Sequence, residues 1–230
     1  MYTWIIWWYD RVYVGQEMKI KYRLHPIFST LIPAALSACD GILFDSHTSC
    51  PHCGGSLTRY DVKTKHFADI IDSTNTRTIT VRIARFRCNE CRAVVYAHQP
   101  FYPNTRVGSP VVDLCVTLSA RMPYATASTF LRRIGVIVDR WSLRNYAMKN
   151  PRELPTTEQY GILLPVSIIS LAALTSETRN GSSIDESDVL SACGYPSSLN
   201  KSDCVGKTLK FLLPGFLSEV FIFISLNSFC

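Results

Sequence analysis

The chain has 230 residues, 47% hydrophobic and 18% charged, a balance that excludes a disordered chain, a collagen-like chain and a coiled-coil rod. The length allows one large domain or two small ones around a buried core. Nine cysteines are too sparse for a small disulfide-stapled scaffold, and the number is odd. The net charge of +6 is concentrated: residues 50–150 hold 15 basic and 6 acidic side chains, residues 1–49 are neutral overall and residues 151–230 are net acidic. Such a block suits a polyanionic partner or a solvated basic surface.

Residues 1–45 form an apolar N-terminal segment with no functional reading. Its first ten residues include Trp4, Trp7, Trp8 and Tyr9, but no basic region precedes them and no small-residue cleavage site follows, so they do not read as a signal peptide. The apolar stretches at 27–38, 161–175 and 211–225 are each shorter than the roughly 20 residues a bilayer requires. Pro33, Pro165 and Pro214 interrupt them. Buried or partner-covered segments are expected, with a cytoplasmic location and reduced thiols. A helix around Pro33–Ala38 and a strand at Val12–Val14 are the local elements expected here.

Residues 46–105 read as β-rich. Thr78–Arg87 alternates, placing Ile79, Val81 and Ile83 on one face and Arg82 on the other. A long turn through Ile71–Thr76 precedes this strand, and Pro100–Pro110 marks a loop. Residues 106–150 are helical in pattern. Ser109 caps a first helix with Pro110 at its first position, Cys115 on its apolar face and Pro123 at its end. Thr126 or Ser128 opens a second helix, with Phe130, Leu131 and Ile134 inward, and Gly135 stops it. A third runs from about Val138 to Met148, with Trp141 and Leu143 facing inward. Residues 151–230 are rich in Ser and Leu, with a polar loop over Ser176–Asp188, and read as an incomplete or diverged domain.

Two cysteine pairs carry the strongest signal. Cys50-Pro51-His52-Cys53 and Cys88-Asn89-Glu90-Cys91 are CxxC turns separated by 34 residues. Each turn lets two thiolates point to one side, and two such knuckles complete the tetrahedron that zinc prefers. Gly54-Gly55 follow the first knuckle, where tight backbone favours glycine. The spacing predicts a zinc ribbon of knuckle, strand, turn, strand and knuckle, holding one structural Zn²⁺ on Cys50, Cys53, Cys88 and Cys91. The rivals are a redox dithiol and a rubredoxin-type iron site. His52, His66 and His98 are candidate substitute ligands, expected to be simply exposed. Binding the ion would supply much of the region's folding energy.

The second signal is the segment Tyr124–Tyr146, shaped like a helix-turn-helix whose second helix begins three residues after Gly135. Arg140, Ser142, Arg144, Asn145 and Lys149 are then candidates for its exposed side, with Arg132 and Arg133 at the end of the helix before it. These residue types suit phosphate and base-edge contacts. Arg77, Arg82, Arg85, Arg87 and Arg92 are expected to add positive charge beside the metal site, and Arg82, Arg85 and Arg87 join the candidate DNA contacts.

The order of these parts resembles the N-terminal DNA-binding region of insertion-sequence transposases and related uncharacterised prokaryotic proteins. The resemblance rests on Cys50-Pro51-His52-Cys53-Gly54-Gly55, on Arg85-Phe86-Arg87-Cys88-Asn89-Glu90-Cys91, on the linker Pro100–Pro110 and on Arg140-Trp141. It covers about residues 48–150 and departs from the pattern at Arg92, where glycine is usual. It implies a zinc-dependent double-stranded DNA-binding protein. The family's recombinase would further need an RNase H-like domain holding two metal ions on spread carboxylates, and Asp185, Glu186 and Asp188 are too local to supply them. No catalytic residue is assigned and an enzyme is not favoured. The alternatives are a protein- or membrane-interaction module with a purely structural metal, and a metal-dependent transposase or nuclease. The expected partner is double-stranded DNA, a homo-oligomer is compatible with this, and no small-molecule substrate is inferred. The expected fold is α+β: a zinc-ribbon sheet at 46–105, a three-helix unit at 106–150, and apolar flanking segments.

Overall fold

A computed structural model of the chain describes residues 24–72, 75–150, 153–178 and 184–194. The expectations for Trp4–Tyr9, Val12–Val14, Pro214 and the 211–225 stretch lie outside the described residues. The fold is mixed α+β, in the order α1 (Phe28–Ser37), β1 (Leu43–Phe44), β2 (Leu57–Asp72), β3 (Asn75–Cys88), β4 (Val94–Tyr96), α2 (Ser109–Ser119), α3 (Tyr124–Arg133), α4 (Arg140–Lys149), β5 (Thr156–Gln159), β6 (Ile162–Pro165), α5 (Val166–Thr178) and α6 (Glu186–Ala192).

A long antiparallel hairpin dominates the sheet. β2 and β3 pair from Leu57↔Cys88 to Asp72↔Asn75, so positions 71, 72, 75 and 76 of the expected long turn are still paired strand. Shifts between Arg59 and Asp61 and between His66 and Ala68 leave Tyr60 and Phe67 as extra residues in β2. β3 is central: β1 runs parallel to it at Arg82–Ile83 and β4 antiparallel at Arg85–Arg87. Ile79, Val81 and Ile83 are fully buried, as the alternation requires, while Arg82 is exposed.

The helical region keeps its order but shifts its boundaries. Ser109 lies inside α2 and Gly108 is the cap residue, so the expected Ser109 cap is not made. α2 ends at Ser119, and Pro123 stands just before α3, opening that helix rather than closing the previous one. α3 begins at Tyr124, earlier than Thr126 or Ser128. α4 begins at Arg140, five residues after Gly135, because the Asp139 carboxylate accepts the Trp141 and Ser142 amide protons at 2.8 and 3.0 Å. The α3–α4 joint pairs with the hairpin instead: the Ile71 amide donates to Gly135 O at 2.9 Å and the Ile137 amide to Asp69 O at 2.8 Å. α1 also starts earlier than expected, at Phe28, with Pro33 inside it. The expected loop over Ser176–Asp188 is partly helical at both ends, since α5 runs to Thr178 and Asp185 and Asp188 form a reciprocal capping box on α6.

One hydrophobic cluster joins these parts. Ile32 and Leu36 of α1, Ile70 and Ile79 of the hairpin, Leu114 of α2, Leu131 of α3, Leu143 of α4 and Ile168 of α5 are all fully buried within it. Cys115 is a buried core residue as expected, and Cys39 and Cys193 are buried as well. Burial pushes the Cys193 thiol up to about 12. Asp113 of α2 is buried and accepts hydrogen bonds from the Tyr102 and Ser167 hydroxyls at 2.7 Å each, joining the loop and α5 to that helix. Among the described residues no helix is long and apolar enough to cross a membrane.

Candidate metal centre and basic surface

The two CxxC turns meet at the open end of the hairpin. The first precedes β2, and the second begins on the last residue of β3 and leads into β4. Their backbones repeat one pattern. The Cys50 amide donates to Gly55 O at 3.0 Å, and the Cys88 amide donates to Ala93 O at 2.9 Å. The residue after each second cysteine has a left-handed backbone, Gly54 at φ +74° and Arg92 at φ +62°. Asn89 fastens the second turn to the entry of β2: its amide donates to Ser56 O at 3.0 Å, its Nδ2 to Ser56 Oγ at 2.9 Å, and its Oδ1 accepts from Thr58 Oγ1 at 2.8 Å. Spacing alone does not reveal this role for Asn89, because its partners sit across the strand pair.

The four sulfurs of Cys50, Cys53, Cys88 and Cys91 lie within 4.8 Å of one another and can hold a metal ion. Cys50 Sγ is 3.6 Å from Cys91 Sγ, and Cys53 Sγ is 3.4 Å from Cys88 Sγ. A tetrahedral Zn–S bond of about 2.3 Å places sulfurs about 3.8 Å apart, inside this range. A disulfide would need about 2.05 Å. The Cys91 amide, with the Glu90 amide beside it, holds the Cys88 thiol down at about 7. The Gly55 amide favours the Cys53 thiolate, but the hydrogen-bonded Cys88 sulfur, desolvation and the Cys91 and Cys50 sulfurs outweigh it and push Cys53 up to about 12. The crowded sulfurs thus compete for negative charge, and a dication would resolve the competition by ionising them together. His52, His66 and His98 stand outside the four-sulfur group.

The basic side chains are distributed along the hairpin rather than gathered at the four cysteines. Arg77 lies at the far end of β3 from Cys88 and pairs with Asp40 at 2.7 Å, so it is not beside the cysteines as expected. Arg82 is exposed and its Nε donates to Gly41 O at 3.2 Å. Arg85 makes a two-point contact with the Asp61 carboxylate across the strand pair. That contact holds the Asp61 carboxyl below its ordinary range. Arg87 is exposed near the second knuckle. Strand alternation puts Arg82 on the face opposite Arg85 and Arg87.

α4 presents a different surface. Arg140, Arg144, Asn145 and Lys149 are exposed, Ser142 is half-buried, and Leu143 is fully buried against the core. Trp141 is 69% exposed, contrary to the expectation that it faces inward. Leu143 takes the buried position instead, and Trp141 carries the Arg144 guanidinium over its ring at 5.7 Å. Arg132 and Arg133 are exposed on the last turn of α3. The Asp139 carboxyl is held below its ordinary range by the Ser142 hydroxyl and amide. The far end of the hairpin braces the α3–α4 joint, so the metal site and α4 are attached to opposite ends of β2.

Glu186 has a role that sequence reasoning missed. Its carboxylate accepts the Asp45 and Ser46 amide protons, tying α6 to the segment that enters the first knuckle. No family model, curated protein or solved structure matches this chain.

Proposed function

We propose that the protein is a zinc-dependent binder of double-stranded DNA, with Zn²⁺ on Cys50, Cys53, Cys88 and Cys91 and α4 as the reading helix. The observation that carries the reading is the outer face of α4, where Arg140, Arg144, Asn145 and Lys149 stand exposed around Trp141 while Leu143 anchors the helix. Residues 106–150 hold seven basic and two acidic side chains, and one of the acids, Asp113, is buried. Cationic and amide side chains on one helix suit phosphates and base edges in a major groove. Zinc acts through the fold in this reading: it closes the open end of the hairpin, and the opposite end braces the α3–α4 joint.

The test is a fluorescence-anisotropy titration of the full chain with duplex genomic fragments at low and physiological salt, with and without a chelator. Zinc-loaded protein is expected to prefer some fragments at physiological salt. Replacing Arg140 and Arg144 with alanine is expected to lower affinity and to reduce the salt slope by about one for each phosphate that is no longer neutralised. Unchanged affinity in that double variant refutes the assignment of α4.

A further inference from the structure

The knuckle end of the sheet carries a surface that the α4 reading leaves unused. Asp61, Arg85 and Tyr96 are in register across β2, β3 and β4. Tyr60, the extra residue of the bulge beside Asp61, joins the row: the Arg85 guanidinium carbon is 5.7 Å from the Tyr60 ring centre and 5.8 Å from that of Tyr96. The ladder continues with Lys65 Nζ, which is 4.7 Å from the Tyr96 ring centre and 5.1 Å from that of Phe101. Phe101 is buried and anchors the ladder in the core. Two rings at its outer end nevertheless remain open to solvent, Tyr60 at 56% and Tyr96 at 36% exposure.

Three features of this face point to one kind of occupant. The rings are held in place, because Arg85 between them is fixed by Asp61 and Lys65 by Gln99, whose Oε1 accepts from Nζ at 2.7 Å. Lys63, Lys65, Arg85 and Arg87 share the face by strand alternation with the Asp61 carboxylate, which Arg85 already engages. The exposed apolar area consists of the Tyr60 and Tyr96 rings with Val94 beside them, and it lies on a sheet, where a ring offers its face to a flat partner. Fixed aromatic rings interleaved with cations match the two needs of an unpaired strand, stacking for bases and charge for phosphates. A duplex hides its base faces in its own stack and cannot use such rings.

We propose that the Tyr60–Arg85–Tyr96 face binds single-stranded DNA, separately from duplex binding at α4. The probe is a fluorescein-labelled dT oligomer titrated into the zinc-loaded full chain, with a duplex of equal length, an rU oligomer and heparin run in parallel. The dT oligomer is expected to bind, with Tyr60→Ala and Tyr96→Ala each weakening it roughly tenfold, the size of one base–aromatic stack. Tyr60→Phe and Tyr96→Phe keep the rings and are expected to retain affinity within about twofold, which separates stacking from loss of fold. Zinc content of one ion per chain in the alanine variants provides the second check on folding. The Arg140→Ala/Arg144→Ala variant is expected to keep its dT affinity, so failure at α4 and failure here are told apart. The proposal is overturned if the alanine variants bind dT like the wild type, if heparin competes against them and against wild type alike, or if rU binds more tightly than dT.

Discussion

The two knuckles share one backbone but not one sequence, and the difference has a measurable cost. Gly54 and Arg92 occupy the same left-handed position after Cys53 and Cys91, at φ +74° and +62°. A non-glycine residue pays about 1–2 kcal/mol there, whereas glycine loses about 0.5–1 kcal/mol of extra chain entropy on folding. Arg92→Gly should therefore stabilise the zinc-loaded protein by about 0.5–1 kcal/mol, a Tm rise of roughly 1–4 °C for a chain of this size. The same energy expressed as zinc affinity is roughly two- to fivefold in a chelator competition. Gly54→Ala should move both quantities the other way by a similar amount, and an alanine Cβ there meets nothing within 4 Å, so the effect is conformational rather than steric. Arg92→Ala retains the strain and should match the wild type. The assay is a thermal melt of the zinc-loaded variants paired with the chelator competition. An Arg92→Gly protein no more stable than Arg92→Ala refutes the backbone argument and transfers the effect to the side chain's charge.

Asp139→Ala removes the cap on α4 and should cost about 1 kcal/mol in urea denaturation at neutral pH. Because the folded state lowers the Asp139 pKa, that contribution is present above the unfolded carboxyl range near 4 and is lost as pH falls through the lowered folded value. The wild type and the variant should therefore converge in acid, and a constant gap across pH refutes the electrostatic part of the cap. Gly135→Ala should destabilise by about 2 kcal/mol or more, from the left-handed backbone at φ +83° and from a Cβ placed 2.4 Å from Pro33 Cγ. Adding Pro33→Ala should recover the steric part in a double-mutant cycle, and strict additivity of the two would contradict the contact.

The cysteine frame was legible in the sequence because a CxxC turn is local: four residues place two sulfurs on one side whatever surrounds them. The inward row Ile79, Val81 and Ile83 was legible for the same reason, since a strand's two-residue period is set by its own backbone. The three helices of the basic segment were legible as existing, but their ends were not. Asp139 caps α4, and the joint before it pairs with the hairpin, so a contact distant in sequence sets where the helix begins. Trp141 and Leu143 lie two residues apart on one helix, and only the packing of α4 against the core decides which of them is buried. The arginines of β3 looked like one basic patch from their number. Pairing with Asp40 and Asp61 and the alternation of the strand divide them between two ends and two faces. The row of Tyr60, Arg85 and Tyr96 has no sequence signature at all, because its members come from three strands brought into line by a bulge and two registers. The sequence alone therefore determined the four-cysteine frame, the buried strand face and the basic character of the middle of the chain, which depend on local geometry and composition. Which cations stand free, which rings face solvent and which end of the hairpin the cysteine cluster and the α3–α4 joint each occupy were decided by the tertiary structure, because those properties depend on strand register and on packing between distant segments.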